Sequence, residues 1–179
     1  LLNSNPGTIP AIPTTDRFGI PNSAFEFNGA NTMMNYTTFF PNSGISGDFS
    51  YSCWMNAYTN QSSVIIYNGR NNVNGFGFVM NNGTIGTPGS NVAVVFGGIS
   101  QYLSTPITLN QWHQLVLIKN GNTYNFYIDN VSAGFFISAF IPMTTVFQVG
   151  MDYNTLTDPF VGKIDDIAIY DKQITTVER

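Results

Sequence analysis

The chain has 179 residues, 10 acidic and 6 basic, for a formal charge of −4 with only 9% charged side chains, where globular domains average about 25%. The cations Arg17, Arg70, Lys119, Lys163, Lys172 and Arg179 are scattered, so no basic stripe neutralises phosphates, which argues against nucleic acid and anionic membrane surfaces as partners. A hydrophobic fraction of 43% fills one core of single-domain size, and no apolar run approaches the roughly 18 residues of a membrane-spanning helix.

Taken in order, residues 1–15 carry Pro6, Pro10 and Pro13 and are expected to form an extended lead-in or linker, with the domain spanning 16–179. The opening Leu1-Leu2-Asn3-Ser4 has neither Met nor a basic-then-apolar leader, so the chain is expected to be a piece of a longer protein with further domains. From Ala24 onward, runs of Val, Ile, Phe, Tyr and Thr alternate with clusters of Asn and Gly every roughly 8 to 12 residues, the pattern of an all-β sandwich or barrel.

Residues 48–57 place Phe49, Tyr51, Cys53 and Met55 on one face of a strand and Ser50, Ser52, Trp54 and Asn56 on the other. Trp54 is then expected to pack under a neighbouring loop, and Cys53, the lone cysteine, to be a buried inert thiol. Residues 112–119 become continuously apolar in the middle, which predicts a central strand, and Trp112 is a core candidate. Asn120-Gly121-Asn122 then turns the chain into residues 123–128, with Tyr124, Phe126 and Ile128 on one face. Asp129-Asn130 reverses it again into 131–138.

Residues 160–170 predict a closing strand, with Ile167 and Ile169 on one face and Ile164, Ala168 and Tyr170 on the other. Asp165 and Asp166, being adjacent, should point to opposite faces as structural rim acids. Only residues 175–179 have the makings of a helical turn, with Thr as cap.

Five segments in this order resemble the laminin G-like jelly-roll family of the concanavalin A-like lectin and glucanase superfamily. Asp16-Arg17-Phe18-Gly19-Ile20-Pro21-Asn22-Ser23-Ala24-Phe25-Glu26-Phe27-Asn28-Gly29 stands near the start, and Gly47-Asp48-Phe49-Ser50-Tyr51-Ser52-Cys53-Trp54-Met55 is similar to the family's G-D-F-T-I-S-x-W strand. Gln111-Trp112-His113-Gln114-Leu115-Val116-Leu117 resembles x-W-H-H-L-V, and Tyr124-Asn125-Phe126-Tyr127-Ile128-Asp129-Asn130 resembles Y-x-L-Y-V-D-G. The last, Phe160-Val161-Gly162-Lys163-Ile164-Asp165-Asp166-Ile167-Ala168-Ile169-Tyr170, is similar to the closing F-x-G-x-I-D-D/E-V-x-I-Y strand. The resemblance implies a concanavalin A-like two-sheet antiparallel jelly-roll sandwich.

Glycosidases of that superfamily need paired carboxylates, but the only glutamates are Glu26 and Glu178, and no E-x-D-x-x-E pattern occurs. The chain is therefore expected not to be an enzyme. His113, the single histidine, rules out a centre of several histidines and is expected to be structural.

Pentraxins share the jelly roll, and the likeness implies calcium ligands at Asp152 and Asn154, with Asp158 shortly after and Asn31 in an early loop; the alternative is a solvated Asp/Asn loop. Sugar recognition pairs aromatic platforms with amides or carboxylates, which makes Tyr67, Asn68, Arg70, Asn71 and Tyr153 candidate ligand contacts, although Asn in turns serves the backbone first. The function expected is a non-catalytic carbohydrate- or surface-ligand-binding module of a larger secreted or cell-surface protein, assisted by calcium, whose partner is a glycan or a cell-surface protein. The alternatives are a structural spacer or adhesin domain without its own ligand and, more distantly, a glycoside hydrolase-like enzyme.

Overall fold

A computed structural model describes residues 8–36, 47–69, 73–80, 91–97, 99–141, 146–152 and 155–179, with the backbone alone over 99–104. Fourteen strands, numbered in chain order, form two seven-stranded sheets. The first sheet runs β1 (Ile9–Pro10), β4 (Thr32–Tyr36), β13 (Phe147–Val149), β6 (Ser63–Asn68), β7 (Phe76–Met80), β8 (Asn91–Phe96) and β9 (Ile99–Pro106). The second runs β12 (Val131–Ile137), β11 (Thr123–Ile128), β10 (His113–Asn120), β5 (Phe49–Ala57), β14 (Val161–Tyr170), β3 (Ala24–Asn28) and β2 (Ile12–Thr14). Among the described pairings only β1 with β4 is parallel. The expected jelly-roll sandwich is the one adopted.

The core lies between the sheets. Phe49, Tyr51, Cys53 and Met55 all point inward and are fully buried, so the alternation of residues 48–57 translates directly into packing. Phe76 crosses the gap and meets Phe49 at 5.4 Å and Tyr51 at 5.0 Å, both edge-on, while Tyr124 stacks flat on Phe136 at 4.7 Å. Each such ring removed from water contributes about 1.5–3 kcal/mol. Burial also raises the Cys53 thiol pKa far above the ordinary thiol range, which leaves it inert.

Strand β10 is central, paired with β11 on one side and β5 on the other. Its hairpin with β11 turns through Gly121 at φ 55°, and the next turn has both Asp129 and Asn130 at positive φ, as a two-residue hairpin of type I′ requires. His113 holds that turn in place: Nδ1 lies 2.6 Å from Asp129 Oδ2 and Nε2 lies 3.0 Å from Thr108 O. Both ring nitrogens are thus engaged structurally. Trp112 stands just before β10 and is only half-buried, so it is not a full member of the core.

Two expectations are corrected. The described part of the proline-rich lead-in pairs with the sandwich from residue 9: β1 joins β4, β2 joins β3, and Ala11 between them is buried in the core. Proline lacks the N–H a central strand needs, so such a segment adds to sheets only at their edges.

In β14 the register slips between Asp165 and Ala168. This bulge turns Ile164, Ile167 and Ile169 all toward the core, whereas strict alternation separated Ile164 from the other two. It also brings the adjacent acids together. Arg17 Nη1 reaches Asp165 Oδ2 at 2.9 Å and Nη2 reaches Asp166 Oδ2 at 2.8 Å, so the two carboxylates share one guanidinium instead of facing apart.

Candidate functional site

The outer face of the first sheet carries an unusual set of buried polar groups. A bulge in β6 between Val64 and Ile66 sends Ile65 and Ile66 to the core and leaves Val64 and Tyr67 outward, where they pack with Val79, Ala93 and Val95. Register then places Asn35, Gln148, Tyr67 and Gly77 in one row across β4, β13, β6 and β7. Tyr67 is 3% exposed and its hydroxyl has no hydrogen-bond partner among the described residues; a side chain at Gly75 would overlap that hydroxyl. Burial first, and then the charge of Asp152, raise the phenol pKa well above its ordinary value. Asn35 is fully buried with neither amide atom partnered. Buried polar atoms without partners cost about 1–3 kcal/mol each, and a native fold keeps them where a ligand, ion or water meets them.

The segment between β13 and β14 brings carboxylates to this row. Gly150 N donates to Ile65 O at 3.0 Å, Phe160 N to Gly150 O at 2.8 Å and Val64 N to Asp158 O at 2.9 Å, which stitches both ends of the loop to the start of β6. Gly150 sits at φ 81° where any Cβ would enter the Phe27 ring, so only glycine permits this close approach. Within the loop Asp152 bridges to Thr157. Asp152 is 4% exposed, whereas Asp158 is exposed and accepts hydrogen bonds from Ser62 Oγ at 3.4 Å and Thr157 Oγ1 at 3.1 Å.

Asp152, Asp158, Tyr67 and Ser62 line a pocket of about 50 Å³ floored by Val64, Val79 and Val95. A water needs roughly 10–15 Å³ of such space, so the pocket accepts an ion or a few waters. Carboxylate and hydroxyl oxygens are hard donors, which fits calcium. The described residues provide fewer than the 6 to 8 oxygens calcium takes, so water or ligand hydroxyls would complete the shell.

The remaining predicted site residues separate. Asn68 follows Tyr67 on the same strand and so faces the other way, opposite Phe76 and Phe147, fully buried and without a partner. Asn31 is in the β3–β4 turn, where Asn28 Nδ2 donates to its Oδ1 at 3.0 Å, and it does not line the pocket of Asp152 and Asp158. Arg70, Asn71, Tyr153 and Asn154 lie outside the described residues. Sequence reasoning passed over Asn35 and Ser62. The signal available for Asn35 was an amide flanked by Met33, Met34 and Tyr36, a strand-like setting instead of a turn.

Neither glutamate is near this pocket's lining: Glu26 bonds Tyr58, and Glu178, paired with Lys172 and the Thr175 amide, has its carboxyl drawn down to about 2. A mainly apolar cleft of about 290 Å³ opens between the sheets along Phe25, Met34, Tyr36, Phe147 and Ile169, with Ser23, Asp165 and Asp166 also on its walls. Among the described residues no helix is long and apolar enough to cross a membrane.

Solved structures with this architecture include a heptameric SAP-like pentraxin from Limulus polyphemus, with a TM-score of 0.66 at 14% identity over 84% of this chain and 76% of that one. Domain 4 of AbnA, an extracellular arabinanase of Geobacillus stearothermophilus, in complex with arabinotriose, gives 0.65 at 18% identity over 87% of this chain and 73% of that one. A candidate carbohydrate-binding protein from Bacteroides ovatus gives 0.69 at 18% identity over 87% of this chain, which spans only 45% of that longer protein. No curated protein sequence matches the chain. A laminin G family model, described as the Concanavalin A-like lectin/glucanases superfamily, matches residues 29–178, and the chain therefore belongs to that superfamily.

Proposed function

We propose that the chain is a non-catalytic carbohydrate-binding module of a larger extracellular or cell-surface protein, and that it engages glycan at the β6 rim with the help of calcium. The observation that carries this reading is that Asp152, Asp158, Ser62 and Tyr67 line one small pocket. Fold relatives that include an arabinotriose complex and a candidate carbohydrate-binding protein support the ligand class. Binding without hydrolysis is supported by the sequence, in which the only glutamates are Glu26 and Glu178 and no E-x-D-x-x-E pattern occurs.

In this reading Asp152 and Asp158 hold the ion, with Ser62 and Tyr67 as neutral oxygens beside it. Calcium, when bound, supplies a positive centre that attracts sugar hydroxyls. Asp152, being buried, is fixed in position by the loop's ties to β6, while Asp158, being exposed, stands at the mouth where a ligand arrives. Tyr67 positions its hydroxyl without solvent competition.

An array of immobilised glycans, probed with the wild type in calcium and in chelator and with the variant Asp158→Asn, tests the proposal. Binding in calcium is expected to fall at least about tenfold in chelator and in the variant, the loss that goes with about 1.4 kcal/mol. A well-folded protein blank across the array in calcium, or binding equal in all three conditions, would refute it.

A further inference from the structure

The opposite face of the sandwich carries a second groove that shares no residue with the ion pocket. We infer that the outer face of the second sheet binds a neutral oligosaccharide without any metal ion, in a groove floored by Trp54 and Gln114 and walled by Arg17 and Arg179.

The floor follows from register. Gln114, Trp54 and Asp165 form one row across β10, β5 and β14, and Val116, Ser52 and Ala168 form the next. Most of such an outer face would lie open, but two chain segments rise over its ends. At one end the loop before β3 contributes Arg17, whose guanidinium lies 4.6 Å from the Trp54 ring and 4.3 Å from the Phe18 ring. The ion pairs with Asp165 and Asp166 fix its edge. At the other end the tail after β14 is anchored by Ser50, whose Oγ donates to Lys172 O at 2.9 Å and accepts from Ile174 N at 3.0 Å. Arg179 then lies 3.8 Å over the Tyr127 ring, with Nε and Nη1 sheltered from solvent and without partners. The space between is about 480 Å³, within the roughly 300–1,000 Å³ of ligand sites.

The lining selects the occupant. Arg17 and Arg179 are balanced by Asp166 and Glu178, so neither an anion nor a cation gains from the field. Donors and acceptors are both on offer: the Ser52 hydroxyl, the Gln114 amide, and the Asp166 carboxylate, which is 62% exposed and keeps acceptor sites beyond its bond to Arg17. Trp54, half-buried beside the Arg17 guanidinium, adds an indole N–H donor and apolar ring surface to the lining. A neutral polyhydroxylated chain matches that mixture, since each hydroxyl both donates and accepts. The ion pocket plays no part here, so this inference stands or falls independently of the calcium-assisted rim.

The test is a titration of the ¹⁵N-labelled chain, in chelator throughout, with arabinotriose, xylotriose, cellotriose and maltotriose, following the Trp54 indole N–H resonance assigned by its loss in Trp54→Phe. At least one trisaccharide is expected to shift that resonance saturably. Gln114→Ala, a surface change that spares the core, should weaken that affinity about fivefold to tenfold through lost hydrogen bonds, and Asp158→Asn should leave it unchanged. No trisaccharide moving Trp54, an unaltered affinity in Gln114→Ala, or binding that appears only when calcium replaces chelator would each overturn the groove as a metal-independent site.

Discussion

The two outer faces of the sandwich differ in what they leave open: one carries a small pocket and the other a broad trough. On the first sheet, Asn35, Tyr67 and Gln148 are all nearly inaccessible, and the space left beside Asp152 and Asp158 is ion-sized. On the second, Trp54 and Tyr170 remain half-open above a space nearly ten times larger. Each pocket is shaped by a β-bulge beside it and by chain segments laid over the sheet. The bulge in β6 turns Val64 and Tyr67 outward beneath the loop of Asp152, and the bulge in β14 aims Asp165 and Asp166 at Arg17. Strand composition makes the sandwich, and small departures from the two-residue period decide what each face presents.

The largest perturbation should erase the difference between faces. Phe76→Ala empties the centre of the aromatic cluster of Phe49, Tyr51, Phe96 and Tyr124 and should cost about 3–5 kcal/mol by chemical denaturation, with both faces lost in one transition. Calcium separates them: at a concentration 100 times its dissociation constant it should stabilise the wild type by about 2.7 kcal/mol in a denaturant melt, an increment absent in Asp158→Asn and retained in Gln114→Ala.

Arg17→Met strikes only the second face, stranding the buried Asp165, and should cost about 1–3 kcal/mol at neutral pH. Burial raises the Asp165 pKa, with the charge of Asp166 adding to it and that of Arg17 opposing it. The folded state therefore holds this proton more tightly than the unfolded chain, and the group's contribution to stability declines as pH rises through its folded pKa. Without Arg17 that pKa rises further, so melts of Arg17→Met against wild type should differ more near pH 7 than near pH 4.

The smallest effect is expected from Glu178→Gln. Glu178 is held low by its hydrogen bond to Lys172 and the Thr175 amide, so its contribution is present above the usual carboxylate range and lost as pH falls toward about 2. Hydrogen exchange should show weaker protection of the Ile174 amide in the variant at neutral pH and little difference between the two proteins in strong acid.

Much of the sandwich was legible because its inner faces obey strict alternation. Phe49, Tyr51, Cys53 and Met55, and again Tyr124, Phe126 and Ile128, are apolar at every second position and all turn inward, and the Asn-Gly and Asp-Asn turns need residues that tolerate positive φ. What escaped depends on contacts made across the chain. Asp166 and Ile167 lie in a bulge that no residue type announces, and the described part of the lead-in becomes strand only because two sheet edges are available for it. Half of the candidate site was legible as chemistry: Asp152 and Asp158 were marked by residue type and position, and they do line one pocket with Tyr67. Asn68 was grouped with Tyr67 by adjacency, although neighbours on a strand face apart. Asn35 and Ser62 fall in N-x-[ST] sequences that mark no site, since their positions come from register and loop docking.

The most direct measurement is a calcium titration of the ¹⁵N-labelled chain with no sugar present. Saturable shifts are expected at the amides of Asp152, Asp158, Ser62 and Tyr67, with the Trp54 indole unmoved and the whole response abolished in Asp158→Asn. Spectra unchanged by calcium, or shifts that appear away from this pocket and persist in Asp158→Asn, would contradict an ion-assisted rim on the first sheet.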